Sequence, residues 1–362
     1  MSTIDIELVS VSKAYGANRV VDNVSLSIPT GEFVSILGPS GCGKTTTLNM
    51  IAGFADPSTG DIRIRGKSQK GVPPEKRGIG MVFQNYALFP HMTIAENVGF
   101  GLRMKGRPAA EIQETVHNAL RRVHLDGFEK RYPKELSGGQ QQRTALARAI
   151  APEPSLLLLD EPLSNLDLKL REAMRVELKD IQEQLGMTFV YVTHDQDEAM
   201  AMSDRIVVMQ HGVIAQAGRP VDIYEQPGSS FVADFIGKSN LLPIKSIRGD
   251  ASGWSISVGS AGLILTADAP DGIEESAARY CCIRPEAIRL TVPEEDRPTS
   301  MNGLKGRLIR IVNLGAYLDC FIMLEDGNVL KSLVRSTRLP ALAVNQTVAL
   351  SIEPAAVQIL TH

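Results

Sequence analysis

The sequence predicts an α/β domain built on a parallel sheet, entered through a small antiparallel β-subdomain and followed by a separate all-β domain. Three textures carry that expectation. Ile4-Asp5-Ile6-Glu7-Leu8 and Val24-Ser25-Leu26-Ser27-Ile28 alternate apolar and polar residues, the period of strands with one face in water. Phe33–Leu37, Leu156–Leu159 and Phe189–Val192 are instead short, nearly continuous apolar runs, as in parallel strands covered on both faces. Between these runs Ile112, Val116, Leu120 and Val123, then Leu170, Met174, Leu178, Ile181 and Leu185, return at helical spacing and supply the covering layers.

The third texture lies further on. Gln210-His211-Gly212 reads as a hairpin turn, and Tyr224-Glu225-Gln226-Pro227-Gly228-Ser229-Ser230 is polar and rich in helix and strand breakers. A domain edge is expected near Gly237, giving units 1–237 and 238–362. The second unit is strand throughout: Leu241–Ile247, Trp254–Val258, Leu263–Thr266, Tyr280–Ile283, Leu308–Val312, Ala316–Met323 and Val348–Ile352, separated by Gly, Pro, Asp and Asn. A small β-barrel is the fold that closes so many short strands.

With 362 residues, 43% of them hydrophobic and 22% charged, the chain can bury two cores without covalent staples. Its formal charge of −3 argues against a protein that grips nucleic acid by neutralising phosphates. The opening MSTIDIELVS has neither the basic nor the apolar region of an export signal. No apolar stretch approaches the roughly 18–20 residues that cross a bilayer, so the chain is expected inside the cell, with any membrane role supplied by a partner. Cys42, Cys281, Cys282 and Cys320 show no C-x-x-C spacing and are read as reduced thiols, without a metal.

The run Phe33–Leu37 leads straight into Gly38-Pro39-Ser40-Gly41-Cys42-Gly43-Lys44-Thr45, a G-x-x-x-x-G-K-[ST] loop in its required strand-to-helix setting. Glycine lets such a backbone wrap closely and turn its N–H groups inward, and the helix from Thr46 aims its positive end at the same anion. Lys44 is expected to reach the outer phosphates of a nucleotide and Thr45 to offer its hydroxyl to Mg²⁺. The fold class is therefore an α/β P-loop NTPase. A second apolar run ends in Asp160-Glu161-Pro162, at the carboxyl end of a parallel strand where ligand chemistry gathers. Asp160 is expected to hold the metal and Glu161 to polarise water.

Leu136-Ser137-Gly138-Gly139-Gln140, taken with the P-loop and Leu-Leu-Leu-Leu-Asp-Glu-Pro, resembles the signature of ATP-binding-cassette ATPases over roughly residues 3–236. The remainder resembles the OB-like accessory domain of importers of the maltose, polyamine and ferric-ion type. The resemblance implies ATP and Mg²⁺ as cofactors, ATP hydrolysis, and two copies sandwiching two nucleotides head to tail. Each copy's Ser137, Gly138, Gly139 and Gln140 would then complete the other copy's site, formed by Gly38, Pro39, Ser40, Gly41, Cys42, Gly43, Lys44, Thr45 and Thr46. The residues agree with that: Ser137 opens a predicted helix over Gln141–Ile150, a second anion-seeking terminus. By the same resemblance Tyr15 stacks on adenine, Gln84 senses Mg²⁺ and water at the end of strand Ile79–Phe83, Asp167 links the two nucleotide sites, and His194 contacts the γ-phosphate.

Asn85-Tyr86-Ala87-Leu88-Phe89-Pro90-His91-Met92-Thr93 is rich in aromatic residues, which mark partner surfaces, and by the same resemblance this segment, with Phe89, is expected to receive a transmembrane permease subunit. Import is implied because exporters commonly fuse the ATPase to its membrane helices. The expected place is therefore peripheral, on the cytoplasmic face of the inner membrane, with a periplasmic or extracellular solute-binding protein as indirect partner and no nucleic acid. Polyamine or aminophosphonate is the expected solute class, with ferric ion or sugar the alternative. A soluble cassette protein of DNA repair or translation, or a P-loop kinase, lacks a matching feature here: no long coiled-coil insertion, no second cassette, and no reason for Leu136–Gln140. Arg284 and Glu286 are expected to form a structural ion pair.

Overall fold

The structure is a computed structural model that describes residues 3–250, 253–259, 263–268, 274–291, 302–336 and 342–362. It divides into two compact units, Met1–Val221 and Asp222–His362.

In chain order the first unit holds β1 (Ile4–Tyr15), β2 (Asn18–Pro29), β3 (Phe33–Leu37), α1 (Lys44–Ala52), β4 (Thr59–Ile64), β5 (Lys67–Ser68) and β6 (Ile79–Val82). There follow α2 (Ile94–Met104), α3 (Ala109–Arg122), α4 (Gly138–Ile150), β7 (Leu156–Asp160), α5 (Leu168–Leu185), β8 (Thr188–Thr193), α6 (Gln196–Met202), β9 (Arg205–Gln210) and β10 (Val213–Gly218). An antiparallel sheet in the order β2-β1-β4-β5 lies beside a six-stranded sheet in the order β10-β9-β3-β8-β7-β6, parallel except for the edge strand β10.

The central sheet explains its own sequence texture. Phe33, Leu157, Leu159, Phe189 and Tyr191 join one buried cluster with α2 to α5, while Val34, Ile36, Leu156, Leu158, Val190 and Val192 join another with α1 and the antiparallel sheet. Alternate residues of the same strands face different cores, so nearly every position must be apolar. Helix α2 has a cap legible as Thr93-x-x-Glu96: the Thr93 hydroxyl accepts from the Glu96 amide, and the Glu96 carboxylate accepts from the Thr93 amide.

The parallel order sets the site. Strands β6, β7, β8 and β3 are successive neighbours, and their carboxyl ends deliver Gln84, Asp160 with Glu161, His194, and the Gly38–Thr45 loop in one row.

The second unit contains α7 (Pro220–Glu225), inside which the division falls, and α8 (Ser230–Phe235). Its strands are β11 (Asn240–Asp250), β12 (Gly253–Val258), β13 (Leu263–Ala267), β14 (Tyr280–Ile283), β15 (Ile288–Thr291), β16 (Asn302–Asn313), β17 (Tyr317–Leu324), β18 (Val329–Arg335), β19 (Thr347–Ile352) and β20 (Val357–Leu360). They form two antiparallel five-stranded sheets, β13-β12-β11-β14-β20 and β15-β19-β16-β17-β18, around one shared core that includes Trp254, Ile256, Leu308, Ile322 and Leu350. The edge expected near Gly237 thus lies earlier. Arg284 supplies the reason, donating to the carbonyls of Tyr224 (2.8 Å), Ala233 (2.9 Å), Ile236 (2.7 Å) and Lys238 (3.2 Å), which fastens residues 224–238 to the β-unit. The expected Arg284–Glu286 pair is replaced accordingly: the guanidinium serves backbone carbonyls, and Glu286 accepts from the Tyr224 hydroxyl.

Candidate functional site

The Gly38–Thr45 loop is fixed by backbone that only glycine permits at two points. A Cβ on Gly38 would stand 2.4 Å from the Met209 carbonyl oxygen and 2.6 Å from Cys42 Sγ. Gly43, at φ 106°, caps α1 in the left-handed region with the Val20 carbonyl 2.8 Å from any Cβ. Pro39, Ser40 and Gly41 are exposed, as is Thr45, and Thr46 is half-buried. Lys44 is buried, and its Nζ donates to the carbonyls of Gly38 (2.8 Å) and Pro39 (3.1 Å). Both partners are neutral, so a cation sits beside the first turn of a helix without an ion pair among the described residues. That arrangement fits a phosphate. Cys42 is buried inside the loop and burial pushes its thiol up, so it is a poor nucleophile rather than an accessible handle.

Asp160 meets the loop through a hydrogen bond from Thr45 Oγ1 (3.2 Å). Burial pushes its carboxyl above the ordinary range, and Glu161 beside it pushes the same way, against the Thr45 hydroxyl and the Lys44 charge. A desolvated carboxylate touching a hydroxyl is a fit partner for a hard cation. Among the described residues no group of three or more His, Cys, Asp and Glu side chains gathers as a metal cage. The donor set therefore suits an ion that keeps water and phosphate as ligands, which is the habit of Mg²⁺.

Glu161 is the meeting point of the row. Its Oε2 lies 3.3 Å from Gln84 Nε2 and 3.2 Å from His194 Nδ1. Its backbone takes the left-handed region at φ 44°, held by its N–H on the Val192 carbonyl (3.0 Å) and by its own carbonyl accepting from Ser164 Oγ (2.8 Å). Gln84 is secured further: Nε2 reaches Ser164 Oγ at 3.4 Å, and Asn165 Nδ2 donates to the Gln84 carbonyl at 2.8 Å. Behind exposed His194 runs a buried network. Glu198 accepts from Tyr191 OH (2.7 Å) and Thr193 Oγ1 (2.6 Å), Asp195 receives Arg171 and Arg175, and Arg171 also donates to the Leu166 carbonyl (3.1 Å). Glu198 holds the Tyr191 phenol well above its usual range, after burial itself.

The structure thus brings together Lys44, Thr45, Asp160, Glu161, Gln84 and His194. Ser137, Gly138, Gly139, Gln140, Asp167 and Tyr15 make no hydrogen bond to that group among the described residues. Ser137 and Gln140 form a reciprocal capping box on α4, and Gly138 and Gly139 pack under Leu166 and Leu170. Asp167 is the N-cap of α5, its Oδ1 accepting from the Leu170 amide at 3.0 Å. Tyr15 is 55% exposed at the end of β1, with Lys13 Nζ 5.0 Å from the ring centre. Phe89 is only half-buried, its ring centre 4.6 Å from that of Phe100 at a tilt of 44°.

Reading by motif missed Ser164 and Asn165, which orient Gln84, and Arg148, Arg171 and Glu198, which lie one layer back. Ser164-Asn165 carries the polar loop signal between a strand and a helix cap and could have been weighed. The arginines and Glu198 sit in helical periodicity and give none.

Comparison with known proteins agrees with this geometry. A model described as ABC transporter matches residues 21–164, and one described as TOBE domain matches residues 281–360. The spermidine/putrescine import ATP-binding protein PotA of Nitratidesulfovibrio vulgaris is 48% identical over 89% of this chain and 87% of its own. PotA of Thermobifida fusca is 51% identical over 86% of this chain and 81% of its own. Among solved structures, cbiO1 from Clostridium perfringens, part of the ABC transporter complex cbiONQ, aligns with TM-score 0.57 at 30% identity, over 61% of this chain and 90% of that one. The ATP-binding cassette MJ0796, as a dimer in a post-hydrolysis state with ADP and Pi, aligns with TM-score 0.54 at 35% identity, over 59% and 98%. With a phosphate loop, a desolvated acid and a glutamate between Gln84 and His194 in one row, and with relatives of this identity along most of its length, the chain belongs to the ATP-hydrolysing ATP-binding proteins of ABC transporters.

Proposed function

We propose that this chain energises polyamine import, working as a two-fold pair of copies on the inner face of the membrane beside separate permease subunits. The observation that carries the hydrolytic half is Glu161, within hydrogen-bonding reach of both Gln84 and His194 and one residue from the acid that touches the P-loop threonine. When bound, magnesium ATP supplies the phosphoanhydride to be cleaved and a cation that neutralises its oxygens.

The chain's own groups divide the remaining work. Lys44 and the backbone N–H groups of residues 38 and 40–46 would hold the phosphates, and Thr45 and Asp160, with Gln84 through water, would hold the metal. Glu161 takes the proton of the attacking water, Gln84 orients that water, and His194 positions the transferring group by hydrogen bonding. The two adjacent carboxylates are suited to different tasks by their surroundings: Asp160 is desolvated against the loop, while Glu161 faces two side-chain partners and solvent. Tyr15 offers an exposed ring for adenine.

Ser137, Gly138, Gly139 and Gln140 are proposed to face the nucleotide of a second copy, with Asp167 joining the two sites. Support comes from the amides of Gly138 and Gly139 in the first turn of α4, which the capping box leaves without an intrahelical acceptor, and from the dimeric MJ0796 structure. The half-buried Phe89 segment is proposed to receive the permease. Among the described residues no helix is long and apolar enough to cross a membrane, so passage of solute is assigned to that partner, fed by a solute-binding protein outside. The polyamine assignment rests on the import proteins that this chain resembles along most of its length.

Glu161→Gln tests the reading. Turnover is expected to fall by about 10²- to 10⁴-fold while Mg-ATP still binds, and the ATP-loaded variant should elute from a sizing column at twice the chain mass. Undiminished phosphate release would remove Glu161 from its role. In cells whose only copy carries the substitution, labelled putrescine uptake should stop, and continued uptake would overturn the solute assignment.

A further inference from the structure

Just past Gln84 the backbone passes through two consecutive non-glycine residues in the left-handed region, Tyr86 at φ 60° and Ala87 at φ 48°. Neither residue type favours that conformation, so something must hold it. Both carbonyls are held by one side chain. Arg148 donates from Nη2 to the Tyr86 oxygen at 2.8 Å and from Nη1 to the Ala87 oxygen at 2.7 Å. Its guanidinium carbon also lies 5.6 Å from the centre of the Phe89 ring. No ion pair to Arg148 occurs among the described residues, and burial alone pulls its pKa down. A cation desolvated without a carboxylate, for two strained carbonyls, is a costly arrangement that packing does not require.

Arg148 lies in the last turn of α4, whose first turn carries Ser137, Gly138 and Gly139. At 1.5 Å rise per residue the two ends are roughly 16 Å apart on one rigid rod. We propose that Arg148 is a positioning residue that locks the turn after Gln84 to α4, so that Gln84 is presented to Glu161 only while α4 keeps this placement. This rests on the reading of Gln84 and Glu161 given above. A guanidinium is suited to the task because its planar fork serves two carbonyls at once, which an ammonium on a flexible stem does less well.

The test uses the full-length chain with Arg148→Met, Arg148→Lys, Gln84→Ala and the Arg148→Met/Gln84→Ala double variant. Hydrogen exchange reads the lock directly. Arg148→Met should speed exchange of the Tyr86, Ala87 and Phe89 amides at least tenfold, leaving those of β3 and α1 unchanged, and Arg148→Lys should restore part of the protection. Unchanged exchange at those three amides would overturn the proposal, as would acceleration spread evenly over the unit. Kinetics read the consequence: Arg148→Met should lower kcat about tenfold or more with KM for ATP within about threefold, and should add less than twofold in the Gln84→Ala background. Full multiplication of the two losses would show that Arg148 does not act through Gln84. Should Gln84→Ala alone leave turnover at the wild-type level, the reading of Gln84 falls, and the exchange data still decide whether the lock exists.

Discussion

Replacing Arg77 by methionine should unfasten the far end of the helix that begins in the phosphate loop. Arg77 is 6% exposed. Its Nη1 donates to the carbonyls of Met50 (2.8 Å) and Ile51 (2.9 Å), in the last turn of α1, while Nε reaches Val72 O (2.9 Å) and Nη2 reaches Gln69 O (3.3 Å). The last carbonyls of a helix have no intrahelical donor and lie at its negative end, so a buried guanidinium satisfies them and their dipole together. Gly53 is required beside it, since a Cβ there would stand 2.5 Å from Arg77 Nε. Methionine keeps the stem and strips every donor. The Gln69 oxygen retains the Val72 amide at 3.1 Å, but the Met50, Ile51 and Val72 oxygens lose their charged partner. At about 1–3 kcal/mol for each of these three acceptors, partly offset because the guanidinium is no longer buried, the loss comes to about 3–5 kcal/mol. For a unit of this size that is about 6–20 °C in Tm. Differential scanning calorimetry on the full chain reads it, with Arg77→Lys expected to fall between the two. A shift under about 2 °C would show that water reaches those carbonyls and that the clamp argument is wrong.

Two further outcomes follow from local geometry. Gly38→Ala places a methyl 2.4 Å from the Met209 oxygen, a strand carbonyl that cannot retreat, so it should cost about 1–3 kcal/mol and abolish ATP binding by calorimetric titration; retained affinity would show that the loop has slack. In the second unit, burial and then the Glu286 hydrogen bond raise the Tyr224 phenol to about 12. A raised folded value means its stabilisation is complete below about pH 10, the unfolded value, and is lost as pH climbs toward 12. Wild type should therefore lose stability faster than Tyr224→Phe over that window in urea titrations, and parallel curves would refute the link.

The parallel core was legible because its chemistry is written in short contiguous runs. Phe33–Leu37 is β3 as read, and Leu156–Leu159 and Phe189–Val192 each gain only a residue or two at their ends. The site was legible for the same reason: each group occupies the residue or two after a strand, and a parallel sheet carries all those ends to one edge. What escaped was longer in range or weaker in pattern. Helix α2 is weakly marked because Gly99 and Gly101 interrupt it, which leaves the Thr93-x-x-Glu96 box as its main local signal. Strands β15 and β20 are only 4 residues long, too short for an alternation to stand out, and β18 buries Ser332 while exposing Val329, so its burial does not follow residue type. The compact units divide at Val221 rather than near Gly237, because a breaker-rich sequence marks where secondary structure stops. It does not mark where contacts stop, and Arg284 reaches back from a distant strand to hold that stretch.

The residues that escaped most completely are those whose backbone contradicts their type. Glycine announces a left-handed turn, and at Gly41 and Gly43 the sequence could be taken at its word. Glu161, Tyr86 and Ala87 announce nothing, yet all three take positive φ in the two loops that carry Glu161 and Gln84. At each, the conformation is imposed from outside: Val192 and Ser164 hold Glu161, and Arg148 holds the other two. Strain of about 1–2 kcal/mol per residue is small beside what those bonds restrain. It means, however, that Glu161 and Gln84 keep their places only while neighbouring elements keep theirs. A site assembled this way depends on the placement of α4 and of the loop before α5, and a shift of either would reach Gln84 or Glu161 without any change in the site's own residues.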